Sequence, residues 1–274
     1  MSKTIFITGA TKGFGRLWAE SFLKRGDNVI ASSRDVAGLQ DLTGAYKENF
    51  LAVKLDITNR AEAIEVIQKA DGHFAGGIDV LINNAGYGII GAVEEYSEEE
   101  ARAQFDANFF GTLWTTQAVI PLFRAKGKGH ILQLSSSLGL NTIPIYGLYS
   151  ATKFAVEAIS ESLQQEVKGF GINVTIVEPG PYSTEFASSI IQTKSNVVYD
   201  GIKTAVANNP GLSEEAHGVP DATVEAIFTL VDSENPPLHF FLGSGGLGWT
   251  KHNFSNKVAE WEEWEEISSK AQGK

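Results

Sequence analysis

The chain has 274 residues, with 22 Lys and Arg against 33 Asp and Glu, a formal charge of −11 at neutral pH. Its 43% hydrophobic and 10% aromatic content excludes a disordered chain, and the length suits one α/β domain, 1–274, needing no disulfide or metal staple. The excess of acid argues against a nucleic-acid or anionic-membrane partner, and the lack of cysteine excludes thiol catalysis and thiolate metal sites.

Short apolar or β-branched runs alternate with helical stretches. Strands are expected at Thr4–Thr8, Asn28–Ser32, Phe50–Leu55, Val80–Asn83, His130–Ser135, Asn173–Glu178 and Leu238–Leu242. Several are continuous apolar runs, which suits strands buried on both faces. Helices are expected at Phe14–Arg25, Arg60–Ala70, Glu98–Arg124, Ala151–Lys168 and Ala222–Val231. This alternation predicts a three-layer α/β/α fold around a doubly wound parallel sheet of about seven strands. No run approaches 18 uninterrupted apolar residues, and Met1-Ser2-Lys3 leads straight into a strand. The expectation is a soluble, cytoplasmic protein without a signal peptide.

Two regions break the rhythm. Residues 181–218 form a long insertion of apolar residues mixed with Ser, Asn and Gly, expected to be a lid. The tail 251–274 reads as a helix over Asn256–Lys270, with Trp261 and Trp264 on one face amid Glu260, Glu262, Glu263, Glu265 and Glu266. An acidic helix packing both tryptophans on its own domain is favoured over a subunit contact. The cluster Glu94, Glu95, Glu98, Glu99 and Glu100 reads as a helix N-terminus, where carboxylates suit the dipole.

The first strand ends in Thr8-Gly9-Ala10-Thr11-Lys12-Gly13-Phe14-Gly15 and a helix follows. Glycines allow positive φ and let backbone amides approach a pyrophosphate, and the helix N-terminus adds partial positive charge. Further on stand Asp56 in Leu55-Asp56-Ile57-Thr58, then Asn83-Asn84-Ala85-Gly86, then Asn108. Ser136 lies thirteen residues before Tyr149-Ser150-Ala151-Thr152-Lys153, and Pro179-Gly180 with Thr184 ends the set. In this order and spacing the chain resembles the short-chain dehydrogenase/reductase family, a Rossmann-type fold, over almost its whole length.

The resemblance implies a nicotinamide cofactor. It places Ser33 where the family usually has an acidic residue, with Arg34 next, and turns Lys12 toward the same pocket. A missing carboxylate and two cations favour NADP(H) over NAD(H), because a guanidinium clamps a phosphate with two donors. Asp35 could pair with Arg34 or, on a one-residue shift, contact the ribose instead. The glycine turn of Gly9, Thr11, Lys12, Gly13, Phe14 and Gly15 would cradle the diphosphate. By the same resemblance, Asp56 and Ile57 flank the adenine. Asn83, Ala85 and Gly86 line the ribose and diphosphate, and Pro179, Gly180 and Thr184 face the nicotinamide.

Tyr149 and Lys153 are four apart and so share a helix face. An ammonium beside a phenol favours phenolate, which would bring the tyrosine pKa toward neutrality. In the family the tyrosine exchanges a proton with the substrate and the lysine also holds the nicotinamide ribose. A serine orients the substrate oxygen, and an asparagine holds a water that links the lysine to solvent. These roles fall on Tyr149, Lys153, Ser136 and Asn108. Strand alternation and the following Gly139 select Ser136 over Ser135 and Ser137.

The five histidines are scattered without metal-ligand spacing, and no G-x-S-x-G surrounds Ser136. No metal is expected. The resulting expectation is a carbonyl reductase or alcohol dehydrogenase acting on a medium-sized hydrophobic ketone, aldehyde or secondary alcohol. A catalytically silent NADP(H)-binding sensor and a steroid- or acyl-type reductase are the alternatives. Walls from Tyr87–Ile90, Leu138–Tyr146 and the lid would enclose the substrate. Phe186, Ile190 and Ile191, at helical spacing, are expected to turn one apolar face to the site. Family members pair through the long helices, which implies a homodimer or homotetramer.

Overall fold

The computed structural model of the protein describes residues 2–273, apart from the Ala187 side chain. Among the described residues seven strands form one parallel sheet. They are β1 (Thr4–Thr8), β2 (Asn28–Ser33), β3 (Phe50–Lys54), β4 (Val80–Asn83), β5 (Gly129–Leu134), β6 (Ile172–Pro179) and β7 (His239–Leu242). Their spatial order is β3-β2-β1-β4-β5-β6-β7, every pair parallel.

The apolar runs are unbroken because helices cover both faces. On β1, Ile5 and Ile7 join a core with Trp18, Phe22, Ile227 and Leu230. Phe6, between them, faces the opposite core with Ile67, Val119, Phe123 and Leu163. So α1 (Gly13–Arg25) and α8 (Val224–Asp232) cover one face. Helices α3 (Arg60–Asp71), α5 (Gly111–Lys126) and α6 (Gly147–Val167) cover the other. The chain builds outward from β1 to β3 and then returns to β4 on the other side of β1. At that reversal the carboxyl ends of β1 and β4 open a crevice, the usual ligand position in such sheets.

Several elements depart from the sequence reading. The stretch expected as one helix over Glu98–Arg124 is α4 (Glu98–Phe105), a π-helical turn Asp106–Phe110, and α5. Helix α6 starts at Gly147, four residues before the expected Ala151, and so includes Tyr149 in its first turn. Two short helices, α2 (Gln40–Ala45) and α7 (Asp200–Ala207), were not anticipated. Within 181–218, Ala187–Ser189 is a single 3-10 turn, and Ile191–Gln192 pairs in parallel with Ile89–Ile90. Phe186, Ile190 and Ile191 therefore do not share a helical face, and Ile191 is exposed. The last helix, α9 (Gly246–Lys270), starts ten residues earlier than expected. Trp261 and Trp264 are 62% and 58% exposed, which overturns the reading that they pack on their own domain. Among the described residues no helix is long and apolar enough to cross a membrane.

Candidate active site

The glycine turn follows β1. Gly9 and Gly13 have φ of +67° and +55°, a region that side-chain-bearing residues rarely adopt. At Gly15 a methyl group would lie 2.5 Å from both the Gly9 carbonyl and Asn84 Nδ2, so nothing larger fits. Asn84 fastens the turn. Its amide donates to the carbonyls of Thr8 (2.9 Å) and Gly9 (3.0 Å), while Thr8 Oγ1 accepts from the backbone amides of Asn84 and Ala85. Sequence reading passed over Asn84 in favour of its neighbour. Asn83 is instead buried under the site, donating to Thr116 and Gln133 and accepting from Thr115 Oγ1 at 2.7 Å. Its side chain does not line the crevice, because every polar atom of the amide is engaged below it.

The expected cofactor contacts surround this turn. Ser33 closes β2, and Arg34 is exposed, with no ion pair among the described residues. Asp35 Oδ1 accepts from the Ala37 amide at 2.9 Å. Lys12 donates to Ser189 Oγ at 3.0 Å. Thr11 packs near Gly38, and Phe14 stacks on Trp18 with centroids 4.9 Å apart. Asp56 Oδ1 accepts from the Thr58 amide and hydroxyl, and Ile57 lies against Gly111. Gly180 donates to the Leu242 carbonyl beside Pro179, the last residue of β6.

Thr184 and Glu185 lie over the glycine turn. Glu185 Oε2 accepts from the Gly13 amide at 3.0 Å, a contact the sequence gave no sign of. A carboxylate thus sits on a loop amide at a helix start that carries no acidic residue in its first turn. This is the chemistry that an anionic diphosphate would use, and the turn fits a dinucleotide.

The four expected catalytic residues converge. Tyr149 and Lys153 are 7% and 5% exposed, and Lys153 Nζ lies 5.7 Å from the Tyr149 ring centroid. Ser136, just past β5, lies close enough to the Tyr149 hydroxyl to oppose the rise of its pKa, and its own hydroxyl accepts from the Leu138 amide at 3.1 Å. A methyl group at Gly86 would meet Asn108 Oδ1 at 3.1 Å and Lys153 Nζ at 3.9 Å, so all three share one corner.

Asn108 sits in the π-helical turn, a geometry common at functional sites. Its Oδ1 accepts from the Tyr87 amide, and its Nδ2 donates to the Tyr87 carbonyl and Thr152 Oγ1. The side chain therefore braces the 86–87 turn against α6.

Burial sets the electrostatics. It pushes the Tyr149 phenol up to about 12, with Ser136 pulling the other way. The same burial brings Lys153 down to about 8. Lys153 Nζ is directed to the Leu134 carbonyl at 2.7 Å.

Four residues beyond Lys153, Glu157 is 3% exposed, and among the described residues neither carboxylate oxygen has a well-aligned hydrogen-bond partner. Burial raises it to about 7. His239 Nδ1 is 3.7 Å from Glu157 and 2.8 Å from Glu178, which burial also raises.

The insertion closes one side. Phe186 packs against Tyr149 with ring centroids 5.7 Å apart, and Phe186 and Ile190 both border Gly88. Its far end is anchored by Lys203 on Glu95 (2.6 Å) and Tyr199 on Glu94 (2.5 Å). The acidic cluster is thus two features. Glu98, Glu99 and Glu100 open α4 behind the Ser97 cap, whereas Glu94 and Glu95 hold the insertion.

A nucleotide-binding oxidoreductase is the class that this sheet and crevice define. The model of the short chain dehydrogenase family matches residues 3–195, and the chain belongs to that family. It is 40% identical over 187 residues to 3-ketodihydrosphingosine reductase of Bacteroides thetaiotaomicron, covering 68% of this chain and 66% of that one. A crystal structure of a short-chain dehydrogenase from Streptomyces avermitilis is similar at a TM-score of 0.90 and 34% identity, with 98% of each chain covered. The closed form of a serine dehydrogenase complexed with NADP+ is similar at a TM-score of 0.74 and 27% identity, covering 87% of this chain and 94% of that one.

Proposed function

We propose that the protein reduces the carbonyl of a medium-sized hydrophobic ketone or aldehyde with NADPH, or runs the reverse oxidation of a secondary alcohol. The carrying observation is the buried convergence of Tyr149, Ser136 and Lys153 beside the glycine turn. When bound, NADPH supplies the hydride.

The turn amides around Gly9, Gly13 and Gly15 would hold its diphosphate, and Ser33, Arg34 and Lys12 its 2′-phosphate. Asp56 and Ile57 would border the adenine. Ala85 and Gly86 would border the ribose, and Pro179, Gly180 and Thr184 the nicotinamide. The phosphate preference is supported by an Arg34 without an ion pair among the described residues and by Asp35 Oδ1 accepting from the Ala37 amide. It is also supported by the NADP+ complex of the related serine dehydrogenase.

The chemistry of the chain follows from its pKa pattern. Tyr149, pushed up to about 12, remains a neutral phenol at neutral pH and holds the proton that a reduced carbonyl oxygen needs. Ser136 orients that oxygen by a hydrogen bond. Lys153 is still cationic just below pH 8 and stabilises the tyrosinate left behind. Asn108 positions Gly86 and Tyr87 around this corner. Apolar walls from Phe186 and Ile190 support a hydrophobic substrate, as does likeness to a relative named 3-ketodihydrosphingosine reductase. A silent binding protein would leave the buried Tyr–Ser–Lys group without a purpose.

Tyr149→Phe keeps the ring and removes the proton donor. NADPH binding by fluorescence should persist, while turnover over a ketone and aldehyde panel falls by roughly 10²-fold or more. Retention of more than about a tenth of turnover would show that another group donates the proton.

A further inference from the structure

We propose that the outer half of α9 is a self-association surface, pairing antiparallel with the same helix of a second copy of this chain. Every residue from Val258 to Gly273 is exposed, so this half leaves the body of its own subunit. An isolated helix of that length is marginal in water, because most helical stability in proteins comes from packing an apolar face. This helix has such a face. Leu247, Phe254, Val258, Trp261 and Trp264 follow at spacings of seven, four, three and three and fall within about 120° of the helix circumference, whereas Ile267 lies on the far side from Val258. Each is 41% to 63% exposed. Two exposed tryptophans on one short segment are unusual for a surface that stays in water, and tryptophan is enriched at the centres of interfaces.

Charge selects the partner and its direction. From Gly246 to Ala259 the helix carries Lys251 and Lys257 and no acid. From Glu260 to Lys270 it carries five glutamates and one lysine. A parallel pair would set glutamates against glutamates. An antiparallel pair crossing near Val258 sets Lys251 beside Glu265 of the other copy, Lys257 beside Glu260, and Phe254 beside the two tryptophans. The surface is then complementary to itself and closes at two copies. An anionic bilayer is a poorer fit, since the glutamates and the net charge of −11 would be repelled. The base of the helix is fixed in its own subunit, where Asn141 donates to Thr250 and accepts from Asn253 Nδ2. That contact leaves the outer half presented at a defined angle.

Sedimentation velocity on the full chain at tens of micromolar tests this. The wild type should sediment as a dimer. Trp261→Glu with Trp264→Glu should weaken association at least about 100-fold, with circular dichroism showing the fold retained. Lys251→Glu with Lys257→Glu should also give monomers, and mixing that chain with a Glu260→Lys, Glu265→Lys chain should restore a heterodimer. A monomeric wild type overturns the proposal. So does a dimer indifferent to the tryptophan pair, which would run through α5 and α6 instead. Failure of the charge-swapped chains to recombine overturns the antiparallel register. Tryptophan-dependent binding to anionic vesicles by a monomeric wild type would assign the face to membranes.

Discussion

The carboxylate of Glu185 holds the amide of Gly13, which an anionic diphosphate would need, so the two compete. The contact joins residues 172 positions apart, and no local pattern could announce it. The place of Ser33 and Arg34 at the end of β2 was legible because a strand end is a fixed place in this fold, whereas Glu185 becomes visible only when the insertion is laid over the turn. Glu185→Gln removes the competing charge but keeps the side-chain shape. A charge-assisted hydrogen bond at an exposed amide is worth about 1 kcal/mol, so NADPH should bind roughly fivefold more tightly to this variant. Calorimetric titration giving equal or weaker affinity would reject the competition. Arg34→Asp tests the proposed 2′-phosphate site. It would replace the proposed phosphate clamp with a carboxylate and should weaken NADPH binding by an order of magnitude or more, on the order of 1.4 kcal/mol, with little loss for NADH. Equal losses for the two nucleotides would remove Arg34 from the 2′-phosphate site.

The insertion at 181–218 was legible as a break in the β–α rhythm but not as an anchored element. Its anchors lie in the Glu94–Glu95 segment, which composition alone merges with the N-terminus of α4. The π-helical turn that carries Asn108 was hidden for a related reason. Its apolar residues continue the helical pattern on both sides, and one wider turn leaves no mark in periodicity. Glu95 carries the most weight among the anchors. Its side chain is 1% exposed, it meets Lys203, and it accepts from the Asn196 amide. The Lys203 ammonium and that amide hold its carboxyl down at about 2. A depressed carboxylate contributes stability that is present above the ordinary value of 4.5 and lost as pH falls toward 2. The anchor is therefore fully formed at neutral pH. Glu95→Gln should speed amide exchange across 195–203 several-fold, while β1 and β5 stay as protected as in the wild type. Unchanged exchange there would mean that packing of the insertion, not this ion pair, holds it in place.

The doubly wound sheet was readable because strands buried on both faces must be apolar at every position, as Ile5, Phe6 and Ile7 are. Burial of charge left no such trace. Glu157 follows Tyr149 and Lys153 at the same spacing of four, and on sequence alone it is one more glutamate in an amphipathic helix. In the folded chain it is enclosed with Glu178, Glu161, His239 and Ser135, with Lys153 one turn away. Desolvation raises its carboxyl from 4.5 to about 7, and the Glu178 charge adds to the shift. The native state therefore binds this proton more tightly than the unfolded chain does. The contribution to stability is fully present below about 4.5 and is lost as pH rises through about 7. The shift corresponds to at most about 3 kcal/mol between pH 5 and pH 8. Glu157→Gln mimics the protonated form at every pH. Denaturant unfolding at the two pH values should show the variant close to wild type at pH 5 and more stable than it at pH 8. If the two proteins lose stability in parallel between those values, Glu157 is ionised in the native state across the range, and Glu178 with His239 carries the buried charge instead.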